Sequence, residues 1–166
     1  IYDKSKKISP QAKSDIIRLS LLKNHGGVWA DSTLLCMQPL DHWAFEAVKP
    51  SGIWMYHGHG SGLKSDLGPA SWFILSKKNG DLITKWKIYC DSFWSMNDES
   101  KEYYWMDGLF KNILFKDEDF KNKWMKTPFL YCESIGSSHT LANYNYKIGN
   151  NTKKVKDILK KSHLTF

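Results

Sequence analysis

The stretch from Ser9 to Asp31 constrains the fold of this chain more than any other feature of the sequence. Ser9 can cap a helix and Pro10 suits the first helical position, so we expect a helix to begin there. Apolar residues then recur on more than one narrow stripe, which predicts a largely buried helix. Gly26-Gly27 ends it, and residues 28–30 predict a short buried strand that stops at Asp31.

Strands and helices alternate along the rest of the chain. Predicted strands cover residues 53–56, 71–76 and 127–131, and predicted helices begin at Asp81, near Tyr103 and near Asn151. This alternation favours an α/β architecture with a mostly parallel sheet. With 166 residues, 42% of them hydrophobic, the chain is expected to form a single domain over residues 1–166.

The composition favours an anionic partner. The formal net charge is +7, which suits a nucleoside diphosphate, a nucleic acid or an acidic membrane face. Eight Trp, eight Tyr and eight Phe residues exceed what a core of this size needs, so some rings are expected to line a groove where they can stack on sugars or bases.

The three cysteines, Cys36, Cys90 and Cys132, form neither a disulfide framework nor a zinc pattern. A reducing compartment is the simplest inference from them. No signal peptide and no long apolar run is visible in the sequence. We therefore expect a cytoplasmic protein, with peripheral association with a membrane as an open alternative.

The charged residues of the first helix and strand form the candidate site. Asp31 lies at the carboxyl end of a predicted strand, where ligands of open α/β sheets bind. Asp15 and Arg18 are three residues apart on the preceding helix and share a face. Two interpretations stay open: an internal salt bridge, or a helix face that borders a polar ligand.

A histidine pair in the predicted loop after residue 56 has its own interpretations. His57 and His59 stand at alternate positions, which can suit a transition metal. No third ligand with suitable spacing accompanies them. A glycine-rich loop that closes over a substrate is the favoured interpretation.

The ordered pattern around the candidate site resembles a known family. Ser14-Asp15-Ile16-Ile17-Arg18, then Leu21-Leu22, then Gly26-Gly27-Val28-Trp29-Ala30-Asp31-Ser32-Thr33 is similar to the capsular polysaccharide synthesis proteins. These are a branch of the DXD-containing glycosyltransferase clan that includes yeast-type mannosyltransferases and the sugar-transfer domains of large clostridial toxins. The resemblance implies a GT-A-like, Rossmann-like fold, with a mixed, mostly parallel sheet flanked by helices. Such proteins begin with a further strand-rich segment, so we expect a partial catalytic domain here.

The resemblance also implies roles for individual residues. Catalytic roles fall to Asp31, Arg18 and Asp107; donor binding to Asp15, Arg18, Asp31, Ser32, Thr33, Ser138 and His139; and the acceptor side to Ser71, Trp72 and Asp107. Asp31, Thr33 and His139 would hold Mn²⁺ or Mg²⁺. Thr33 stands where the clan has its second Asp, and a neutral hydroxyl is a weaker ligand for these ions. A plain helix-start carboxylate at Asp107 and a solvated loop histidine at His139 remain alternatives.

The implied reaction transfers a sugar from a nucleoside diphosphate sugar to a hydroxyl of a glycan or lipid-linked acceptor, with retention of configuration, in polysaccharide or surface glycan synthesis. Two alternatives stay open. The first is a catalytically eroded module that binds nucleotide sugars or glycans. The second is a nucleic-acid-binding domain, which the charge and the aromatic residues suggest. No known nucleic-acid motif appears, so no nucleic-acid partner is expected.

Overall fold

The computed structural model describes residues 6–32, 34, 39–57 and 68–128. The helices are α1 (Pro10–His25), α2 (Ala44–Val48), α3 (Asp81–Met96), α4 (Trp105–Lys116) and α5 (Glu118–Trp124), and the strands are β1 (Gly27–Ala30), β2 (Ile53–His57) and β3 (Pro69–Ser76). A short 3-10 turn covers Leu40–His42 before α2. The expected mixture of helices and strands is confirmed.

Helix α1 begins and ends as its sequence predicts. The Ser9 hydroxyl accepts a hydrogen bond from the Ala12 amide at 3.2 Å. At the other end, Gly26 has φ 71°, and its N–H donates to the Leu22 carbonyl at 2.8 Å. A Cβ on Gly26 would lie 2.6 Å from the backbone nitrogen of Lys78, so only glycine lets the two segments approach this closely.

The expectation that α1 is largely buried is wrong. Its inward face carries Ala12, Ile16, Leu19, Leu22 and Arg18. Ile17 and Leu21 are exposed on the opposite side. A helix packed against a single layer buries only one stripe, and the additional apolar residues of α1 remain outside it.

The expectation of a mostly parallel sheet is not confirmed. The described strands form a three-stranded sheet in the order β1-β3-β2, and both strand pairs are antiparallel. A parallel pair needs a crossover connection, usually a helix. Here all three described strands lie between α1 and α3, and the one α-helix described among them is the five-residue α2. The long helices that the structure describes therefore flank the strands in sequence and do not connect them.

The position of each strand in the sheet decides its burial. β3 is the central strand, and seven of its eight residues are buried, the exception being the half-buried Ser71. β1 lies at an edge, where Val28 is exposed and Trp29 is half-buried. The expected strand at residues 28–30 is therefore confirmed, but its expected burial is wrong.

Apolar clusters cover both faces of the sheet. The larger cluster joins Ile53, Met55 and Ile74 to the inner faces of α1, α3, α4 and α5. The smaller cluster joins the rings of Trp54, Tyr56 and Phe73 to partly buried residues of the 3-10 turn and α2, with ring centroids 4.8–6.3 Å apart. The two clusters thus pack against opposite faces of β3, which also contacts α1 and α4.

Several sequence predictions fall partly or wholly outside the described residues. Helix α4 begins at Trp105, two residues after the predicted start near Tyr103. Thr127 and Pro128 are not in a strand, and residues 129–131 lie outside the described part, as does the helix predicted from Asn151. Within the described ranges, no helix combines the length and apolar character that crossing a membrane requires.

Candidate functional site

A cleft of about 530 Å³ opens where α1, the end of β1, the start of β3 and the start of α4 meet. We call it the main cleft. Its lining includes the polar side chains of Gln11, Ser14, Asp15, Arg18, Asp31, Ser32, Ser71 and Asp107, and the rings of Trp29, Trp72, Tyr103 and Tyr104. This volume lies within the range of pockets that bind small molecules.

Arg18 is the centre of the polar wall. Its Nη2 lies 3.4 Å from Oδ1 of Asp15 and 3.3 Å from Oδ1 of Asp31. Its Nη1 donates a hydrogen bond to the Ser71 carbonyl at 2.7 Å. Because Arg18 is 7% exposed, these contacts form largely out of water and are stronger than a surface ion pair. One guanidinium thus ties α1 to both β1 and β3.

The local sequence explains how these groups meet. Asp15 and Arg18 are one helical turn apart on α1, so their side chains face the same way. Asp31 follows the last residue of β1, and its N–H donates to the Trp72 carbonyl at 2.9 Å, which continues the pairing with β3. The backbone of Asp31 is therefore fixed at the end of the sheet.

Trp29 adds a second constraint on Asp31. Its indole Nε1 donates to Asp31 Oδ1 at 2.8 Å. The Arg18 guanidinium carbon lies 4.9 Å from the centroid of the Trp29 ring, a cation–π distance. Asp31 Oδ1 thus receives hydrogen bonds from both Arg18 and Trp29. The carboxylate is held in one orientation before any ligand binds.

Asp15 is a partly buried carboxyl with a raised affinity for protons. Burial raises the pKa of Asp15 from 3.8 to about 6, and the charge of Asp31 also raises it. Arg18 and a hydrogen bond from Trp105 oppose this rise. That bond joins Trp105 Nε1 to Asp15 Oδ2 at 3.0 Å. Asp15 therefore contacts Arg18 through one oxygen and Trp105 through the other.

Asp107 comes from the first turn of α4 and is 5% exposed. The pKa of Asp107 is raised to about 7, chiefly by burial and to a smaller extent by the nearby charge of Asp15. A hydrogen bond with the Ser71 side chain and the charge of Arg18 act in the opposite direction. A carboxyl group with a pKa near neutrality can take up and release a proton at physiological pH, as a general acid or base must.

The structure brings together the predicted site residues that it describes. Asp15, Arg18, Asp31, Ser32, Ser71, Trp72 and Asp107 all line the main cleft. Of the two interpretations of Asp15 and Arg18, the internal salt bridge is confirmed. The pair also lines the cleft, and its contact with a polar ligand stays a prediction. Thr33, Ser138 and His139 lie outside the described residues, as does the loop from Gly58 to Leu67 that includes His59.

The residues that the reasoning from sequence missed include Gln11 and Trp29 in the lining of the main cleft, and Trp105, which bonds Asp15. Gln11 stands four residues before Asp15 on α1, so its helical spacing could have placed it on the same face. Trp29 stands two residues before Asp31, a spacing that puts side chains on one side of a strand. Trp105 has no comparable signal, because its bond to Asp15 joins residues 90 positions apart.

The residues expected to hold Mn²⁺ or Mg²⁺ are only partly described. Among the described residues, no group of three or more His, Cys, Asp or Glu side chains could hold a metal ion. Asp31 offers one carboxylate, whose Oδ1 already contacts Arg18 and Trp29. Mg²⁺ in nucleotide sites is usually held by one or two carboxylates plus substrate phosphates. Asp31 therefore fits an ion that arrives with a diphosphate better than one held by protein alone.

Comparison with known proteins gives one family. The family model described as "Capsular polysaccharide synthesis protein" matches residues 1–165. Neither the curated proteins nor the solved structures contain a match to this chain. The family match covers nearly the whole sequence, including every residue of the main cleft. The chain therefore belongs to the capsular polysaccharide synthesis protein family.

Proposed function

We propose that this protein is a glycosyltransferase that moves a sugar from a nucleoside diphosphate sugar to a hydroxyl group of a glycan or lipid-linked acceptor. The observation that carries the proposal is the Asp15–Arg18–Asp31 network, which lies in one cleft with the buried carboxyl of Asp107. Family membership points the same way, since making a capsular polysaccharide requires sugar transfer.

The donor would lie against Asp31 and Arg18. Carboxylates accept hydrogen bonds from sugar or ribose hydroxyl groups, and a pre-oriented carboxylate does so with little loss of conformational entropy. Asp31 meets this requirement because both Arg18 and Trp29 hold its Oδ1. Mn²⁺ or Mg²⁺, when bound, would supply positive charge at the leaving diphosphate. Asp31, Thr33 and His139 are the ligands that we propose for such an ion, and Asp31 is the one among them that the structure describes.

The acceptor would lie against Ser71, Trp72 and Asp107. Ser71 lies near enough to Asp107 for its side chain to lower the pKa of that carboxyl, and both residues line the cleft. In its ionised form Asp107 can accept a hydrogen bond from an acceptor hydroxyl, and its raised pKa allows it to receive the proton as the new bond forms. The walls of the cleft thus divide into a donor side and an acceptor side.

The transferred sugar would lie between these two sides. Its anomeric carbon becomes electron-poor as the diphosphate leaves, and rigid positioning of both substrates lowers the barrier to transfer. The resemblance to the glycosyltransferase clan adds retention of configuration to this proposal. It also adds a GT-A-like domain, of which the described antiparallel sheet would be one part.

Transfer or hydrolysis of a donor tests the proposal directly. The purified protein is incubated with a panel of nucleotide sugars, with and without Mn²⁺, and release of the nucleoside diphosphate is measured. We expect release with at least one donor, and a loss of about a hundredfold or more in Asp31→Ala. Asp119→Ala is the matched control, because Asp119 is an exposed carboxylate on α5.

Two outcomes would contradict the proposal. Full activity of Asp31→Ala would mean that the Asp15–Arg18–Asp31 network takes no part in the reaction. Binding of a nucleotide sugar that raises thermal stability but gives no turnover under any condition would favour a binding module.

A further inference from the structure

A second, smaller cleft of about 320 Å³ lies beside the main cleft. We call it the side cleft. The start of α1 forms one wall, residues 100–103 form another, and Trp94 and Trp105 lie at its base. Gln11 and Tyr103 line both clefts, so the two spaces adjoin along these side chains. A ligand longer than the main cleft can therefore extend past Tyr103 into the side cleft.

The lining of the side cleft has the chemistry that binds sugars. Rings of Tyr103 and Trp105 stand beside the polar side chains of Ser100, Lys101 and Glu102. Flat rings bury the C–H faces of a pyranose, while hydroxyl, ammonium and carboxylate groups bond its hydroxyls. Lys101 and Glu102 are exposed and not buried in the core, so they can reorient toward a ligand.

An exposed aromatic pair stands where the clefts adjoin. Tyr103 is 70% exposed and Tyr104 is 53% exposed, and their ring centroids are 4.8 Å apart at an interplanar angle of 82°. Two adjacent aromatic rings that are exposed to solvent favour a role in binding over a role in the core. Because the rings support each other edge to face, little side-chain freedom would be lost when a ligand stacks on them.

Trp105 connects the side cleft to the charged network of the main cleft. Its ring borders the side cleft, and its Nε1 donates to Asp15 Oδ2 at 3.0 Å. Phe93 stacks on the same ring at a centroid distance of 5.5 Å and keeps it in place. A sugar that contacts Trp105 would therefore be positioned relative to Asp15 and, through Asp15, relative to Arg18.

We propose that the side cleft is a subsite for the acceptor glycan. It holds the sugar ring that precedes the reacting ring of the acceptor chain, and Tyr103 stacks on the glycan where it passes between the two clefts. This inference rests on the proposed function, because the main cleft must hold the reacting sugar for the side cleft to hold its neighbour. It makes the acceptor a chain of at least two sugar rings.

Fluorine NMR of the full chain labelled with 5-fluorotryptophan can separate the two clefts. Trp94 lines only the side cleft, whereas Trp29 and Trp72 line only the main cleft. The probes are cellobiose and lactose, compared with the single-ring methyl glycosides of glucose and galactose. We expect both disaccharides to shift the Trp94 resonance and to bind about tenfold more tightly than the single rings.

Variants then test the role of Tyr103. We expect Tyr103→Ala to weaken disaccharide binding by about tenfold and Tyr103→Phe, which keeps the ring, to retain most of it. Phe115→Ala is the matched control, because Phe115 is an exposed ring of α4 that lines neither cleft, and it should leave binding unchanged.

The failures of the two proposals differ in this experiment. No Trp94 shift with either disaccharide, equal affinity for single and double rings, or full binding by Tyr103→Ala would overturn the side-cleft proposal. The proposed function would fail separately, if no nucleotide sugar shifted Trp29 or Trp72.

Discussion

Helices α1 and α4 each contribute to two regions of opposite character. On α1, Asp15 and Arg18 border the main cleft, while Leu19 is fully buried in the larger apolar cluster. On α4, Asp107 borders the cleft and Phe110, one helical turn later, is fully buried. Within about 5 Å along the helix axis, each helix changes from charged to apolar surroundings.

The difference shows how the chain separates stability from chemistry. Apolar side chains such as Leu19 and Phe110 gain stability wherever they are removed from water, without a specific partner. The buried Arg18 and Asp107 and the partly buried Asp15 are unfavourable unless their charges are paired or neutralised, so each one depends on named neighbours. Substitutions in the core should therefore change mainly the free energy of unfolding, and substitutions in the cleft should change protonation and ligand binding.

The largest effect on stability is expected for Phe110→Ala. The Phe110 ring makes edge-to-face contacts with Trp86, Phe120 and Trp124 at centroid distances of 4.8–5.0 Å. Removing a fully buried ring leaves a cavity, so we expect the free energy of unfolding to fall by about 4 kcal/mol. Urea unfolding monitored by tryptophan fluorescence measures this change.

The control for Phe110→Ala lies on the same helix. Phe115 is 88% exposed, and Phe115→Ala should change the free energy of unfolding by less than about 0.5 kcal/mol. Equal effects of the two substitutions would mean that the apolar cluster does not carry the stability of the fold, and the contrast between the two regions would fail.

A somewhat smaller effect is expected for Arg18→Met, which keeps the length of the side chain but removes its charge. Asp15 would lose its closest cation, and its pKa, which Arg18 lowers, should rise above about 6. At pH 8 the partly buried carboxylate would keep only its hydrogen bond from Trp105, so we expect a loss of about 3 kcal/mol, the lower end of the range for breaking a buried ion pair. At pH 5 Asp15 can take up a proton, and the loss should be smaller.

A double variant sharpens this result. Asp15→Asn removes the charge that Arg18 neutralises, so Arg18→Met should cost less in that background than alone. Unfolding measured for the wild type, both single variants and the double variant gives the coupling. Additive losses at pH 8 would mean that the ion pair at 3.4 Å contributes nothing to folding.

The sequence predicted local features of the fold better than the pairing of the β-strands. The Ser9 cap, the glycine end of α1 and the shared face of Asp15 and Arg18 depend on residues a few positions apart, and the structure has all three. The sheet order β1-β3-β2 depends on contacts between distant segments, which local patterns do not encode. Alternation of strands with helices therefore suggested parallel pairing that the described strands do not have.

The candidate site divides in the same way. A strand-end carboxylate and a helical ion pair were recognisable from spacing, and the contact of Arg18 with Asp31 follows from α1 leading directly into β1. The Trp105 bond to Asp15 and the placement of Ser71 beside Asp107 bring α4 to α1 and β3. They follow from packing of the whole domain, so no short segment of sequence predicts them.

The next smaller effect is the change in the free energy of unfolding with pH that the Asp107 carboxyl causes. Its folded pKa of about 7 exceeds the ordinary 3.8, so the folded state holds the proton more tightly than the unfolded state. The stability that this gives is complete below about pH 4 and is lost as the pH rises through 7. The side chain of the Asp107→Asn variant cannot ionise, so the variant does not lose this stability. When the pH rises from about 5 to 7, the difference in unfolding free energy between variant and wild type should therefore shift by about 2 kcal/mol in favour of the variant.

As the pH rises, the transfer activity of the wild type should increase while its stability decreases. If Asp107 accepts the acceptor proton, kcat/KM of the wild type rises with pH through about 7, and Asp107→Asn is slow at every pH. A pH profile of transfer, measured beside chemical denaturation of both proteins, tests the two effects together. A wild-type profile without an inflection near 7 would place the proton transfer on another group.

The smallest effect is expected at Trp105, which belongs to both regions because its ring packs on Phe93 and Trp94 while its Nε1 bonds Asp15. In the wild type the hydrogen bond from the Trp105 N–H lowers the pKa of Asp15. Trp105→Phe removes this N–H, so we expect the pKa of Asp15 to rise from about 6 by about half a unit to one unit. Trp94→Phe is the control: Trp94 is equally large and buried, but its Nε1 has no hydrogen-bond partner among the described residues. An NMR titration of the Asp15 carboxyl should therefore shift in Trp105→Phe only, and equal shifts in both would attribute the effect to packing.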